Sequence, residues 1–238
     1  MNPEAFRNAL EKENLPINSK KMEQYAKYLS LLQEWNEKVN LTAIIEEDEV
    51  YLKHFYDSLT LAKYIEMEDK QLTLCDVGSG AGFPSIPLKI LFPELEITIV
   101  DSLKKRINFL DLLVEELGLT NVHLHHARAE DFGQDRKFRS SFDIVTARAV
   151  ARLSVLSEFC LPITKEQGVF VAMKGSQGEE ELADAEKAIS TLGGKLDRVE
   201  SFELPEDAGE RTIVFIDKVK KTPKRYPRQA GTPNKKPL

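Results

Sequence analysis

Leu72-Thr-Leu-Cys-Asp-Val-Gly-Ser-Gly-Ala-Gly-Phe-Pro84 is the stretch whose reading decides the fold. Leu72, Leu74, Cys75 and Val77 make the short apolar run of a strand covered on both faces. Gly78, Gly80 and Gly82 then permit a sharp turn and a close approach of ligand to backbone, and Pro84 suits the first position of a helix. A strand that passes through such a turn into a helix leaves free N–H groups at the helix start, an arrangement open to several cofactors.

Spacing narrows the choice. A dinucleotide fingerprint counted from Gly78 and Gly80 needs a third glycine where this chain has Phe83, and no lysine and hydroxyl follow Gly82 as a P-loop requires. The pattern present is Asp76-x-Gly78-x-Gly80-x-Gly82, which resembles the first motif of class I S-adenosylmethionine-dependent methyltransferases. An acid repels a pyrophosphate but attracts the ammonium and sulfonium of S-adenosylmethionine, so Asp76 favours the latter. Asp101, at the end of the next strand, stands where an acid accepts hydrogen bonds from ribose hydroxyls in both classes, and so supports an adenosine ligand without choosing between them.

From this stretch onward, strands expected at 72–77, 96–101, 121–126, 142–147 and 168–173 alternate with helices at 84–92, 103–117, 151–161 and 178–192. The alternation predicts an α/β fold with a doubly wound parallel sheet covered on both faces. Residues 195–204 and 210–219, joined by Leu204-Pro-Glu-Asp-Ala-Gly209, predict a terminal antiparallel hairpin. Ahead of the first strand, 3–13, 19–39 and about 48–65 carry helical periodicity, the second through Met22, Tyr25, Leu29, Leu32 and Trp35, with Asn18 or Ser19 as its cap. The expected organisation is a helical cap over 1–70 packed on the sheet, a Rossmann-like core over 71–219, and a basic, proline-rich tail over 220–238.

The chain has 238 residues, 42% hydrophobic and 30% charged, as an ordinary globular protein does. No apolar run reaches the length of a membrane span, and residues 1–20 lack the pattern of a signal peptide, so no membrane partner and a cytoplasmic location are expected. Cys75 and Cys160 form neither a disulfide framework nor a metal cluster; both read as small buried hydrophobes, without the polar setting that would activate a thiolate. The net charge of −6 conceals a segregation. Lys218, Lys220, Lys221, Lys224, Arg225, Arg228, Lys235 and Lys236 stand together with no acid among them, which leaves 25 basic against 39 acidic residues, or −14, for 1–217. A basic tail on an acidic body points to an anionic partner, while its composition equally suits a solvated, disordered end. For a nucleic-acid partner the candidate phosphate contacts are Lys220, Lys221, Lys224, Arg225, Arg228, Lys235 and Lys236, with Tyr226 a candidate to stack on an exposed base and four prolines that would keep the segment extended.

Two further segments bear on the site. After the third strand, Ala129 and Glu130 occupy the loop that reads the adenine edge in methyltransferases, and after the fourth, Thr146-Ala-Arg-Ala149 puts Arg148 beside ligand and substrate. Arg148 can clamp a carboxylate, a phosphate or a guanine edge, with Arg152 one helical turn on. Thr-Ala-Arg-Ala lacks the Asn/Asp-Pro-Pro-aromatic run of exocyclic adenine methylation and the Pro-Cys of cytosine C5 methylation. An acceptor such as guanine N7, whose lone pair needs no deprotonation, suits a site with no evident general base. His54 and Asp57, three apart on the third helix, read as a polar face without chemistry, because no third partner is visible. Lys104, Arg106 and Lys174, near expected strand ends or the helix that follows, are further candidates for phosphate contact, though as isolated charges they read first as solvated.

Several motifs taken together resemble one family, the bacterial 16S ribosomal RNA guanine-N7 methyltransferases, also called glucose-inhibited division protein B. They are Trp35-Asn36-x-x-x-Asn40-Leu41-Thr42, His54-x-x-Asp57-Ser58, the glycine stretch itself, Ala127-Arg-Ala-Glu130, Thr146-Ala-Arg-Ala-Val150 and Arg225-Tyr-Pro-Arg228-x-x-Gly231-x-Pro233. The resemblance implies methyl transfer from S-adenosylmethionine to N7 of a guanine in the 530 loop, at position 527, of 16S rRNA, as naked RNA or within the small subunit or an assembly intermediate. It implies cofactor contacts at Gly78, Phe83, Ala129, Glu130 and Arg148. A monomer is the default state. The competing expectations are a small-molecule methyltransferase and an RNA-binding protein that keeps the pocket without turnover.

Overall fold

The computed structural model describes residues 1–238. Its strands are β1 (Thr73–Val77), β2 (Glu96–Asp101), β3 (Val122–His126), β4 (Phe142–Arg148), β5 (Thr164–Lys174), β6 (Gly194–Glu203) and β7 (Glu210–Lys218). They form one sheet in the order β3-β2-β1-β4-β5-β7-β6. Strands β1 to β5 run parallel, and β7 and then β6 complete the sheet as an antiparallel hairpin. The order reverses between β1 and β4, which makes their carboxyl ends the switch point where ligands bind in open α/β sheets.

Side-chain alternation along β1 divides the core. Leu74 joins a large cluster beneath the N-terminal helices, while Cys75 and Val77 join a smaller one on the other face. Both Cys75 and Cys160 are fully buried, and burial pushes both thiols well above their ordinary pKa. No helix is long and apolar enough to cross a membrane.

Helices α1 (Pro3–Lys12) and α2 (Ser19–Val39) lie on the large cluster, α2 capped by Asn18, whose Oδ1 accepts from the Lys21 N–H at 2.9 Å. The packing is aromatic: Phe6 meets Tyr25 and Tyr51 edge-on at centroid separations of 5.1 and 5.2 Å. Tyr28, absent from the apolar stripe read in the sequence, is fully buried and donates its hydroxyl hydrogen to the Ala81 carbonyl inside the glycine turn. Tyr25 does the same to Pro87 in α5 (Ser85–Leu91). The cap therefore shares one core with the turn and is hydrogen-bonded both to the turn and to α5.

Differences from the sequence expectations are local. The third helix is not one amphipathic rod: α3 (Glu47–Val50) passes into a π-helical stretch (Tyr51–Tyr56), then α4 (Asp57–Leu59) and a 3-10 turn (Thr60–Lys63). Pro84 caps α5 instead of opening it. A short helix, α7 (Ala129–Gln134), follows β3 where a loop was expected, with Phe132 as its buried anchor. After α8 (Leu153–Cys160) and α9 (Glu180–Thr191), the tail is neither extended nor free; it folds back on the smaller cluster and ends in α10 (Thr232–Lys235).

The three glycines of the turn do different work. At Gly82, φ is +103°, and an added Cβ would stand 2.7 Å from Tyr28 Oη, 2.8 Å from Ile86 Cγ1 and 3.0 Å from Leu110 Cδ2. At Gly80, φ is +62° and the space is open. Gly82→Ala is therefore expected to destabilise by about 3 kcal/mol or more, from left-handed strain plus overpacking, and Gly80→Ala by only about 1–2 kcal/mol. Urea unfolding midpoints compare the two, and equal losses would contradict the packing role of Gly82.

Candidate functional site

The carboxyl ends of the central strands open on a cleft of about 740 Å³, large enough for a nucleoside-containing ligand. Gly78, Gly80, Phe83, Asp101, Ala129, Glu130 and Arg148 all line it. Gly80 donates its N–H to Asp101 Oδ2 at 3.2 Å, Leu103 donates to Oδ1 at 2.9 Å, and Arg106 Nη1 lies 3.5 Å from Oδ2. The strand-end acid is thus held by the glycine turn itself, and Arg106, an isolated charge in the sequence, is its counter-ion. Gly78 sits under Val150, whose Cγ2 lies 3.0 Å from where a Cβ would stand. Glu130 is buried in the first turn of α7.

Two of the expected cofactor residues are set back from the cleft wall. Gly82 faces α2 and α6 (Lys104–Glu116), for the packing reason given above. Asp76 lies beneath the wall, fully buried; its Oδ2 accepts from the Ser85 N–H at 3.1 Å and its Oδ1 has no partner. Burial pushes its carboxyl up to about 7, with the Ser85 N–H and the Arg148 charge pulling the other way.

Arg148 explains what the sequence could not show about His54 and Asp57. Its Nη1 donates to Asp57 Oδ2 at 3.1 Å and to the Lys53 carbonyl at 3.2 Å, and its Nη2 donates to His54 Nδ1 at 3.1 Å. With Nδ1 accepting, Nε2 carries the imidazole hydrogen and donates it to Thr42 Oγ1 at 2.9 Å. Burial, reinforced by Arg148, holds the imidazole down to about 3 and therefore neutral. His54 stacks on Phe83 at 4.3 Å and 16°, and the guanidinium carbon lies 5.0 Å from the same ring. Arg211 from β7 closes the group, its Nε donating to Asp57 Oδ1 at 3.1 Å. The polar helix face is a built network, and the missing third partner comes from a strand 91 residues on. The motif spacing His54-x-x-Asp57 was the available signal; only the fold supplies Arg148 and Arg211.

The basic segment departs most from its sequence reading. Tyr226 is buried in the smaller cluster, where Phe132 and Phe142 also lie, so it is not free to stack on a base. Arg228 is bound to Glu158, whose side chain is 1% exposed, at 2.7 Å, so its charge is already neutralised. Lys218 is buried too, its ammonium on the carbonyls of Leu161 and Thr164, and burial brings its pKa down to about 8. Lys220, Lys221, Lys224, Arg225, Lys235 and Lys236 remain exposed. Lys174 pairs with Glu181 at 3.0 Å.

The sheet order, the acid under the glycine turn and the acid at the end of β2 define a class I, Rossmann-like S-adenosylmethionine-dependent methyltransferase. Solved structures with this fold include a SAM-dependent methyltransferase from Aquifex aeolicus, at 16% identity and a TM-score of 0.52 over 72% of this chain and 93% of that one. Another is M. jannaschii TYW2 in complex with AdoMet, at 18% identity and a TM-score of 0.51 over 68% of this chain and 74% of that one. The model of the GidB family, rRNA small subunit methyltransferase G, matches residues 21–214. A ribosomal RNA small subunit methyltransferase G from Lactococcus lactis subsp. lactis is 57% identical over all 238 residues, covering 100% of both chains. The chain belongs to the rRNA small subunit methyltransferase G family, and its cofactor is S-adenosyl-L-methionine.

The residues present suit that cofactor. Asp76 offers a buried, unpartnered carboxylate oxygen of the kind a cation satisfies, and Gly80 leaves its place in the wall open.

Asp76 and His54 also make opposite contributions to stability. Folded Asp76 keeps its proton to about pH 7, whereas an unfolded aspartate loses it near about pH 4, so this group lowers stability as pH rises between the two. Folded His54 stays neutral down to about pH 3, whereas an unfolded histidine is charged below about pH 6.5, so it raises stability over nearly the same window. Asp76→Asn removes only the first contribution. Its unfolding temperature is expected to climb more steeply than wild type from pH 4 to 6.5; parallel curves in scanning calorimetry would mean that Asp76 is already ionised in that range.

Proposed function

We propose that the enzyme methylates N7 of a guanine in the 530 loop of 16S rRNA, acting as a cytoplasmic monomer on that RNA, whether free, in the small subunit or in an assembly intermediate. The observation that carries the reading is the state of the groups on the acceptor side of the cleft. His54 has its one lone pair committed to Arg148 and its one hydrogen to Thr42, and Asp57 receives an arginine on each oxygen. Neither is free to take a proton from an acceptor. Guanine N7 has none to give: its in-plane lone pair is already the nucleophile, so positioning supplies the rate.

S-adenosylmethionine, when bound, supplies an electrophilic methyl group on a sulfonium. Gly78 and Gly80 let the backbone approach it, Asp101 accepts hydrogen bonds from its ribose hydroxyls, and Ala129 and Glu130 take the adenine edge. Phe83, packed between His54 and Tyr28, holds the floor rigid. Arg148 fixes the relative position of cap and sheet at the place where donor and acceptor meet. The exposed lysines and Arg225 bind phosphates of the RNA, a contribution that weakens with salt.

Small subunits from a strain lacking the enzyme are expected to gain one 7-methylguanosine, found by mass spectrometry of nuclease fragments to lie in the 530 loop. Methyl groups on another base or atom would overturn the reading. Replacing Lys220, Lys221, Lys224 and Arg225 together by Ser is expected to raise the Michaelis constant for RNA about tenfold or more near physiological salt and to flatten its salt dependence. An unchanged salt slope would remove these four from the RNA surface.

A further inference from the structure

We propose that the basic segment supplies part of the cofactor site itself, with Asn234 hydrogen-bonding the adenine edge of S-adenosylmethionine. The segment is strapped to the core along its length. Arg139 donates to the carbonyls of Thr222, Pro223 and Tyr226 at 3.1, 3.3 and 2.6 Å, and Gln134 donates to that of Pro227 at 2.6 Å. Arg228 then locks onto buried Glu158 through four hydrogen bonds, its own N–H among them. Three residues further, Gly231 takes φ +86° and its N–H reaches Glu130 Oε1 at 2.8 Å. The chain that has been turned there enters α10, and Asn234 in that helix lines the same cleft as Ala129 and Glu130.

Adenine presents amino hydrogens on N6 flanked by ring-nitrogen acceptors, N1 on one side and N7 on the other. A carboxylate such as Glu130 accepts only, and one of its oxygens is already engaged by Gly231. A carboxamide carries an acceptor and a donor side by side, the complement of the N6 and N7 pair. Asn234 is the carboxamide among the residues that line the cleft. The segment thus serves the cofactor with Asn234 while its exposed lysines, Lys235 beside it among them, face outward.

The inference rests on the reading that the Glu130 end of the cleft takes the adenine. Isothermal titration with S-adenosylhomocysteine and with its 7-deaza analogue, in which N7 is a C–H, separates the possibilities without any RNA. Asn234→Ala is expected to weaken S-adenosylhomocysteine about tenfold and the 7-deaza compound about threefold or less. Because Asn234 is exposed, the unfolding midpoint of the free protein is expected to stay in place. Equal losses for both ligands, or no loss, would overturn the role of Asn234. Glu130→Gln is the companion variant: if it weakens binding while Asn234→Ala does not, the proposal alone fails, and if neither weakens binding the adenine lies elsewhere and both readings fail.

Discussion

Four groups converge on the guanidinium of Arg148: the Asp57 carboxylate, the His54 imidazole, the Lys53 carbonyl and the Phe83 ring. The first three belong to the irregular third helix and the last to the glycine turn, while Arg148 itself ends β4. One partly buried cation therefore ties cap to sheet. Such a group costs several kcal/mol to desolvate and is stable only while its partners stay in place; removing a partner of a buried pair costs about 3–5 kcal/mol. The π-helical stretch fits this constraint, because its wider winding delivers Lys53, His54 and, just beyond it, Asp57 to one cation.

Several charges of the cleft are paired within its wall. Arg106 answers Asp101, Arg211 shares Asp57 with Arg148, and burial pushes the carboxyl of Asp76 up to about 7. Phe83 lies between Tyr28, at 5.4 Å, and His54, at 4.3 Å, in two near-parallel stacks. The residue that excludes a dinucleotide fingerprint in the sequence is thus the one that joins cap, turn and network in the fold.

The sheet was legible because its signals are local. Each parallel strand is a short apolar run and each crossover a helical period; β2 was read from Glu96 to Asp101, as it is found. The hairpin was announced by Leu204-Pro-Glu-Asp-Ala-Gly209. Partners far along the chain were not legible. His54 and Asp57 looked idle because Arg148 and Arg211 are 94 and 154 residues away from them respectively. The basic segment looked free because composition counts its charges without seeing Glu158 or Glu130, and Tyr226 looked available because an isolated aromatic carries no mark of burial. Tyr28 was passed over since a single helical stripe does not show how wide the buried face becomes when a second element, here the glycine turn, packs beside it.

The bond between Gly231 and Glu130 spans 101 residues. During synthesis from the amino end, the charge network needs β7 for Arg211, and the Glu130 end of the cleft needs the chain to reach Gly231 and beyond. A nascent chain that ends between Lys218 and Gly231 already carries every strand of the sheet but lacks the segment that bonds Glu130. In the order of synthesis, the strands therefore come before the segment that closes the Glu130 end of the cleft.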